Sequence, residues 1–164
     1  MIRDMLKNIF IAFFLLLLSC SSPSNKIVAT TEIHDYKYND DEIALMNMIN
    51  EYRESIGLHS LDTINHMSFL SLQHNIYMIE KHVPSHDGFV QRSNELIQLF
   101  HASMVGENVA YNFKLNNDVL RAWLASSGHK ENIEGGFTHF GLSIRIDSTN
   151  NRKYYTNVFM KVSK

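Results

Sequence analysis

Phe140-Gly141-Leu142-Ser143-Ile144-Arg145-Ile146, the turn-forming run Asp147-Ser148-Thr149-Asn150-Asn151, and Tyr154-Tyr155-Thr156-Asn157-Val158-Phe159-Met160-Lys161-Val162 decide the fold class. Apolar and polar residues alternate in the first run, which is the signature of a half-buried strand. Asx and Ser/Thr chemistry then turns the chain. The final run reads as a second strand, so the three segments predict an antiparallel hairpin. Val109–Phe113 is a candidate for a short third strand.

Upstream of the hairpin the period is helical. Ile43, Leu45, Met46, Ile49 and Tyr52 recur at three- and four-residue spacing. They predict a helix that begins near Glu42, is capped by Asp40-Asp41 and is stopped by Gly57. A second helix is expected from about Ile64 to Lys81, ended by Pro84. A third is expected over Ser93–Phe100, and a fourth over Asn117–Ala125 with Gly128 as its stop. Helices first and an antiparallel sheet last argue for an α+β domain with helices packed on the sheet.

Composition fits one such domain. The chain has 164 residues, 45% hydrophobic and 20% charged, with a net charge of −2. No basic footprint for nucleic acid is present, and a single cysteine excludes an internal disulfide framework.

That cysteine has a distinctive place. Arg3 and Lys7 precede the apolar run from Ile9 to Leu18, a charged n-region followed by an h-region too short to span a bilayer. Leu17-Leu18-Ser19-Cys20 then resembles a bacterial lipobox. On this reading residues 1–19 are a signal peptide, and Cys20 carries the lipid anchor. Residues 20–41, polar and rich in Ser at their start, are a flexible tether, and 42–164 are the folded domain. The expected location is the cell envelope, tethered to the outer membrane or cell surface.

Four further segments occur in order: Ser85-His86-Asp87-Gly88-Phe89, Gly106-Glu107-Asn108-Val109-Ala110, Trp123 through His129 to Asn132-Ile133, and Tyr154-Tyr155-Thr156-Asn157-Val158-Phe159. Met48–Leu58 opens the domain ahead of them. The ordered set resembles the CAP superfamily (cysteine-rich secretory proteins, antigen 5 and pathogenesis-related class 1 proteins), in its bacterial secreted branch. The resemblance implies a three-layer α-β-α sandwich with a small antiparallel sheet and a surface cleft. In eukaryotic members two histidines and two glutamates line that cleft and can hold a divalent metal. His86 and Glu107 match the first histidine and one glutamate. The second glutamate's place holds Ser126, and the second histidine's place holds Tyr154. His129 matches a Gly-His-x-x-Asn-Ile signature of the bacterial branch and is expected to face the same cleft.

Two imidazoles and one carboxylate suit Zn²⁺ or a similar ion, so His86, Glu107 and His129 stand as a candidate ligand-binding and metal set. The same trio without metal can move protons. Each residue also has a plain reading: His86 as a turn histidine, Glu107 as an acceptor for backbone amides in a Gly-Glu-Asn turn. Asn108 and Asn132 read as structural, and Trp123, Phe140 and Phe159 as core. Histidines 34, 59, 66, 74, 82, 101 and 139 read as surface residues or satisfied partners. His-Glu-x-x-His and Gly-x-Ser-x-Gly do not occur, and no nucleophile is assigned.

The leading expectation is a membrane-anchored extracytoplasmic protein whose cleft binds a ligand (a small molecule, lipid, peptide or protein) or a divalent metal, with no catalysis demonstrated. The alternatives are a metal-assisted hydrolase acting on peptide or cell-wall material, and a surface adhesion module with a vestigial cleft.

Overall fold

A computed structural model describes residues 32–162. The segment expected to be a signal peptide and the lipidation expected at Cys20 lie outside the described residues. Five helices and four strands follow one another: α1 (Asp40–Ser55), β1 (Asp62–Thr63), α2 (Asn65–Lys81), α3 (Phe89–Phe100), β2 (Ala102–Tyr111), α4 (Asn116–Ala125), α5 (Ser127–Glu134), β3 (His139–Asp147) and β4 (Arg152–Val162). The fold is a three-layer α-β-α sandwich. Its sheet runs β1-β3-β4-β2. The expected hairpin is β3–β4, with Phe140 opposite Phe159. β2 pairs antiparallel with β4 on the other side, and the two-residue β1 adds a parallel edge beside β3.

Alternation along β4 sorts the core. Tyr155 and Phe159 face one layer together with Phe140, Leu142 and Ile144 of β3, and α1, α4 and α5 supply Leu45, Ile49, Trp123 and Ile133. Val158 and Met160 face the other layer, where α2 and α3 contribute Met67, Leu70 and Leu96. Gly141 lets α2 lie directly on the sheet: a Cβ there would come within 2.4 Å of Met67 Cβ and of the Ser68 nitrogen.

Several local expectations change. Asn39, not Asp40-Asp41, caps α1, in a reciprocal box with Glu42: the Glu42 amide donates to Asn39 Oδ1 at 3.0 Å, and the Asn39 amide donates to Glu42 Oε2 at 2.9 Å. Gly57 does end the helix. With φ at +81° it forms a Schellman pair, the Leu58 amide on Arg53 O and its own amide on Glu54 O. α3 starts one turn earlier than Ser93, because Gly88 at φ +74° serves as its N-cap. Gly128 does not stop a helix. Ser126 is the extended residue that ends α4 and begins α5, and Gly128 lies inside α5.

Strand β2 is longer than Val109–Phe113 and carries Gly106-Glu107-Asn108 in its middle, so that segment is not a turn. Gly106 is required there: a Cβ would meet Asn132 Oδ1 at 2.5 Å.

The last residues assigned above to the tether can be seen. Residues 32–39 form no helix or strand, yet they pack on the domain. His34 stacks on Phe69 at 4.0 Å, and its amide donates to His66 Nδ1 at 3.1 Å. The Tyr38 hydroxyl meets Ser68 Oγ at 2.8 Å. Tyr36 OH donates to the fully buried Glu42 at 2.6 Å, which also accepts from the Ile144 amide and from Arg145. A buried carboxylate needs donors on every side, and the aromatic strap supplies one of them.

Candidate functional site

β2 is an outer strand of the sheet, and the candidate residues gather along it. Successive side chains point to opposite faces. Gly106 and Asn108 look toward α5, and Glu107 looks toward α3. The loop between α2 and α3 brings His86 to the Glu107 side. α5 is fastened to the other side: Asn108 Nδ2 donates to His129 O at 3.0 Å, and Asn132 Nδ2 donates to Asn108 Oδ1 at 2.8 Å and to Glu107 O at 3.2 Å. Those bonds place the His129 ring 6.4 Å from the His86 ring, centre to centre. His86 therefore touches Glu107 and lies beside His129 at this edge of the sheet.

Glu107 is the centre of the charge arrangement. Its side chain is 1% exposed. Arg92, from the first turns of α3, grips both of its oxygens through Nε at 2.8 Å and Nη2 at 2.9 Å. His86 Nδ1 lies 2.9 Å from Glu107 Oε1. An arginine-bound carboxylate is an acceptor, so this proton is assigned to His86 Nδ1. Nε2 of His86 is then the acceptor of an imidazole whose side chain is 53% exposed. Behind it, buried His74 meets the Ser85 carbonyl through Nε2 at 2.7 Å and steadies the loop.

Burial, and next the Arg92 charge, hold the His74 ring below the usual histidine range; burial, then the neighbouring His86, does the same at His129. Both rings are thus kept neutral at pH 7.

Arg92 is the residue sequence reasoning misses here; His74, read as a surface residue or satisfied partner, is a buried partner of the Ser85 carbonyl. A lone arginine on an amphipathic helix carries no signal of its own. Its spacing from Gly88 gives a hint only once Gly88 is known to be a helix cap. The two positions where the CAP set is broken have structural duties. Ser126 is the junction of α4 and α5. Tyr154 is wholly buried on β4, its ring 4.7 Å from that of Tyr111.

The residues present do not fit a metal. Both Glu107 oxygens are taken by a guanidinium, one of them also by His86. Among the described residues no three His, Cys, Asp or Glu side chains group to hold an ion. Zn²⁺ ligation by His86, Glu107 and His129, expected from residue type, is not what the geometry offers. A cavity of about 400 Å³ opens elsewhere, between Leu58, His59, Gly136 and Thr138. Its buried wall residue Arg53 is engaged by the carbonyls of His59, Ile133 and Gly135. It is an arginine clamp on the end of α5, and it lies apart from the histidine cleft.

The fold and the ordered motifs define a class, and comparison with known proteins agrees. The cysteine-rich secretory protein family, CAP, matches residues 46–160, and this chain belongs to it. Among solved structures it is similar to an outer surface protein of Borrelia burgdorferi (22% identity, TM-score 0.69, 80% of this chain and 100% of that one). It also resembles an extracellular SCP-domain protein of Bacillus anthracis (23%, TM-score 0.63, 74% and 40%). A curated relative, the uncharacterized membrane protein YlbC of Bacillus subtilis, is 27% identical over 124 residues, or 73% of this chain. This chain covers 34% of that relative's length.

Proposed function

We propose that this CAP-domain protein is a lipid-anchored binding protein of the cell envelope, and that it takes its ligand at the exposed edge of His86 without metal and without catalysis. One observation carries the reading. A half-exposed imidazole is held in a fixed orientation by a carboxylate that is itself buried and charge-matched. Such a group presents a single directional acceptor, Nε2, to whatever enters between α3 and α5. His129, neutral and 6.4 Å away, supplies a second imidazole for the same ligand. Ligands that offer a hydroxyl or amine donor fit this pair; a lipid headgroup, a peptide or a small polar molecule qualifies. The membrane anchor rests on Cys20, and the outer-surface and extracellular relatives support an envelope location.

The cleft is tested by imidazole ¹³C–¹H shifts on adding a panel of short peptides, cell-wall fragments and lipid headgroups. A ligand of the cleft shifts His86 and His129 saturably, and His86→Ala removes the binding. If every bound compound binds His86→Ala equally well, the site is elsewhere. The anchor is tested by Cys20→Ser, which should move the protein from the membrane to the soluble fraction; retention in the membrane would defeat it.

A further inference from the structure

We infer that Arg92 is a built-in cation that bars divalent metal from this cleft and holds its carboxylate in the metal's stead. The inference concerns the same cleft as the proposed ligand site but not the ligand, so the two fail separately.

Three observations converge. First, the guanidinium forms a two-pronged bond to Glu107, with Nε on one oxygen and Nη2 on the other. An ion approaching either oxygen must therefore displace a donor already in place. Second, the pair is sheltered, Arg92 being 11% exposed and Glu107 1% exposed at the side chain. Solvent screens it poorly, and a divalent ion beside it would face an undiluted positive charge.

Third, the chain is built to hold the guanidinium there. Arg92 Nη1 donates to Asp87 O at 2.9 Å. Gly88, at φ +74°, leaves the space the group occupies, since a Cβ at 88 would lie 3.1 Å from Nη1. The loop that delivers His86 is thus the loop that fixes the arginine, and the two reach Glu107 together.

Removing the charge reverses the situation. Glu107 would be left as a buried carboxylate beside His86, with His129 close by. Two imidazoles and a carboxylate are the ligand types that recruit Zn²⁺. The natural protein avoids this outcome through one side chain.

The experiment is a calorimetric titration of ZnCl₂ into the full-length protein. Wild type and His86→Ala should give superimposable isotherms, reflecting only surface histidines. Arg92→Met should gain one equivalent, bound at least tenfold more tightly than any wild-type site, and Arg92→Met/His86→Ala should lose it again. Arg92→Gln, which keeps an amide donor toward Glu107 but no charge, is read the same way if the methionine variant does not fold. Two results overturn the inference. One is a zinc equivalent in wild type that His86→Ala or His129→Ala removes. The other is a folded Arg92 variant, judged by its near-ultraviolet circular dichroism, that takes up no additional zinc.

Discussion

Among the described residues, two histidine–glutamate pairs have the same separation and opposite surroundings. His66 Nε2 and Glu95 Oε1 are 2.9 Å apart, as are His86 Nδ1 and Glu107 Oε1. In the first pair the histidine is buried (0% exposed) and the glutamate is 30% exposed. In the second the glutamate is buried (1%) and the histidine is 53% exposed. The difference sorts their roles. A buried histidine with both nitrogens occupied, by the His34 amide and Glu95, has no atom left for a ligand and acts as a fastening between the strap, α2 and α3. An exposed histidine backed by a buried, neutralised carboxylate has one free nitrogen in a fixed direction. Which partner is buried, not which residues are paired, decides whether a ring nitrogen is left facing solvent.

The largest effect should come from removing a buried charge. Glu107→Leu leaves Arg92 sheltered without its counter-ion and should cost about 3–5 kcal/mol. Glu95→Gln, at the open end of the other pair, should cost no more than about 1 kcal/mol. Urea midpoints measure both, and comparable losses would erase the distinction.

Next comes the buried ring. His66→Leu strands the His34 amide and frees Glu95, and should cost about 2 kcal/mol. His86→Ala, by contrast, should change stability by less than about 0.5 kcal/mol while abolishing ligand shifts.

The buried ring of the first pair also answers to pH. Burial, the largest influence, holds His66 below the usual histidine range even though Glu95 pulls the other way. A depressed folded-state value means that the unfolded chain binds the proton first. Its stability contribution is therefore full above about pH 6.5 and is lost as pH falls from there through the folded value. The melting temperature should drop between pH 7 and pH 5, and His66→Leu should flatten part of that slope. An unchanged slope would show that the ring titrates without cost.

The smallest test concerns the loop. Gly88→Ala forces a side chain onto positive φ and against Arg92, at a cost of about 1 kcal/mol. It should weaken ligand shifts at His86 more than at His129.

How much of this was legible follows from the range of the signals. α1, α2 and the β3–β4 hairpin announce themselves because each is set by its own periodicity. α5 does not, because Ser126-Ser127-Gly128 is written in turn residues and only the docking of Asn132 and Ile133 onto the sheet makes it helical. The strand nature of Gly106-Glu107-Asn108 was hidden for the same reason: Gly106 marks the close approach of α5, a tertiary fact. The motifs draw attention to His86, Glu107 and His129, but not to the surroundings of Glu107. Those surroundings depend on Arg92, fifteen residues away in sequence and in contact only after α3 has packed beside β2.

The strap of residues 32–39 also works as a lock across three elements. His34 lies on Phe69 and Tyr38 meets Ser68, both of α2, while Tyr36 reaches Glu42 of α1 and Ser143 of β3. A domain trimmed just ahead of α1 would lose a donor to a buried carboxylate and loosen at all three elements together.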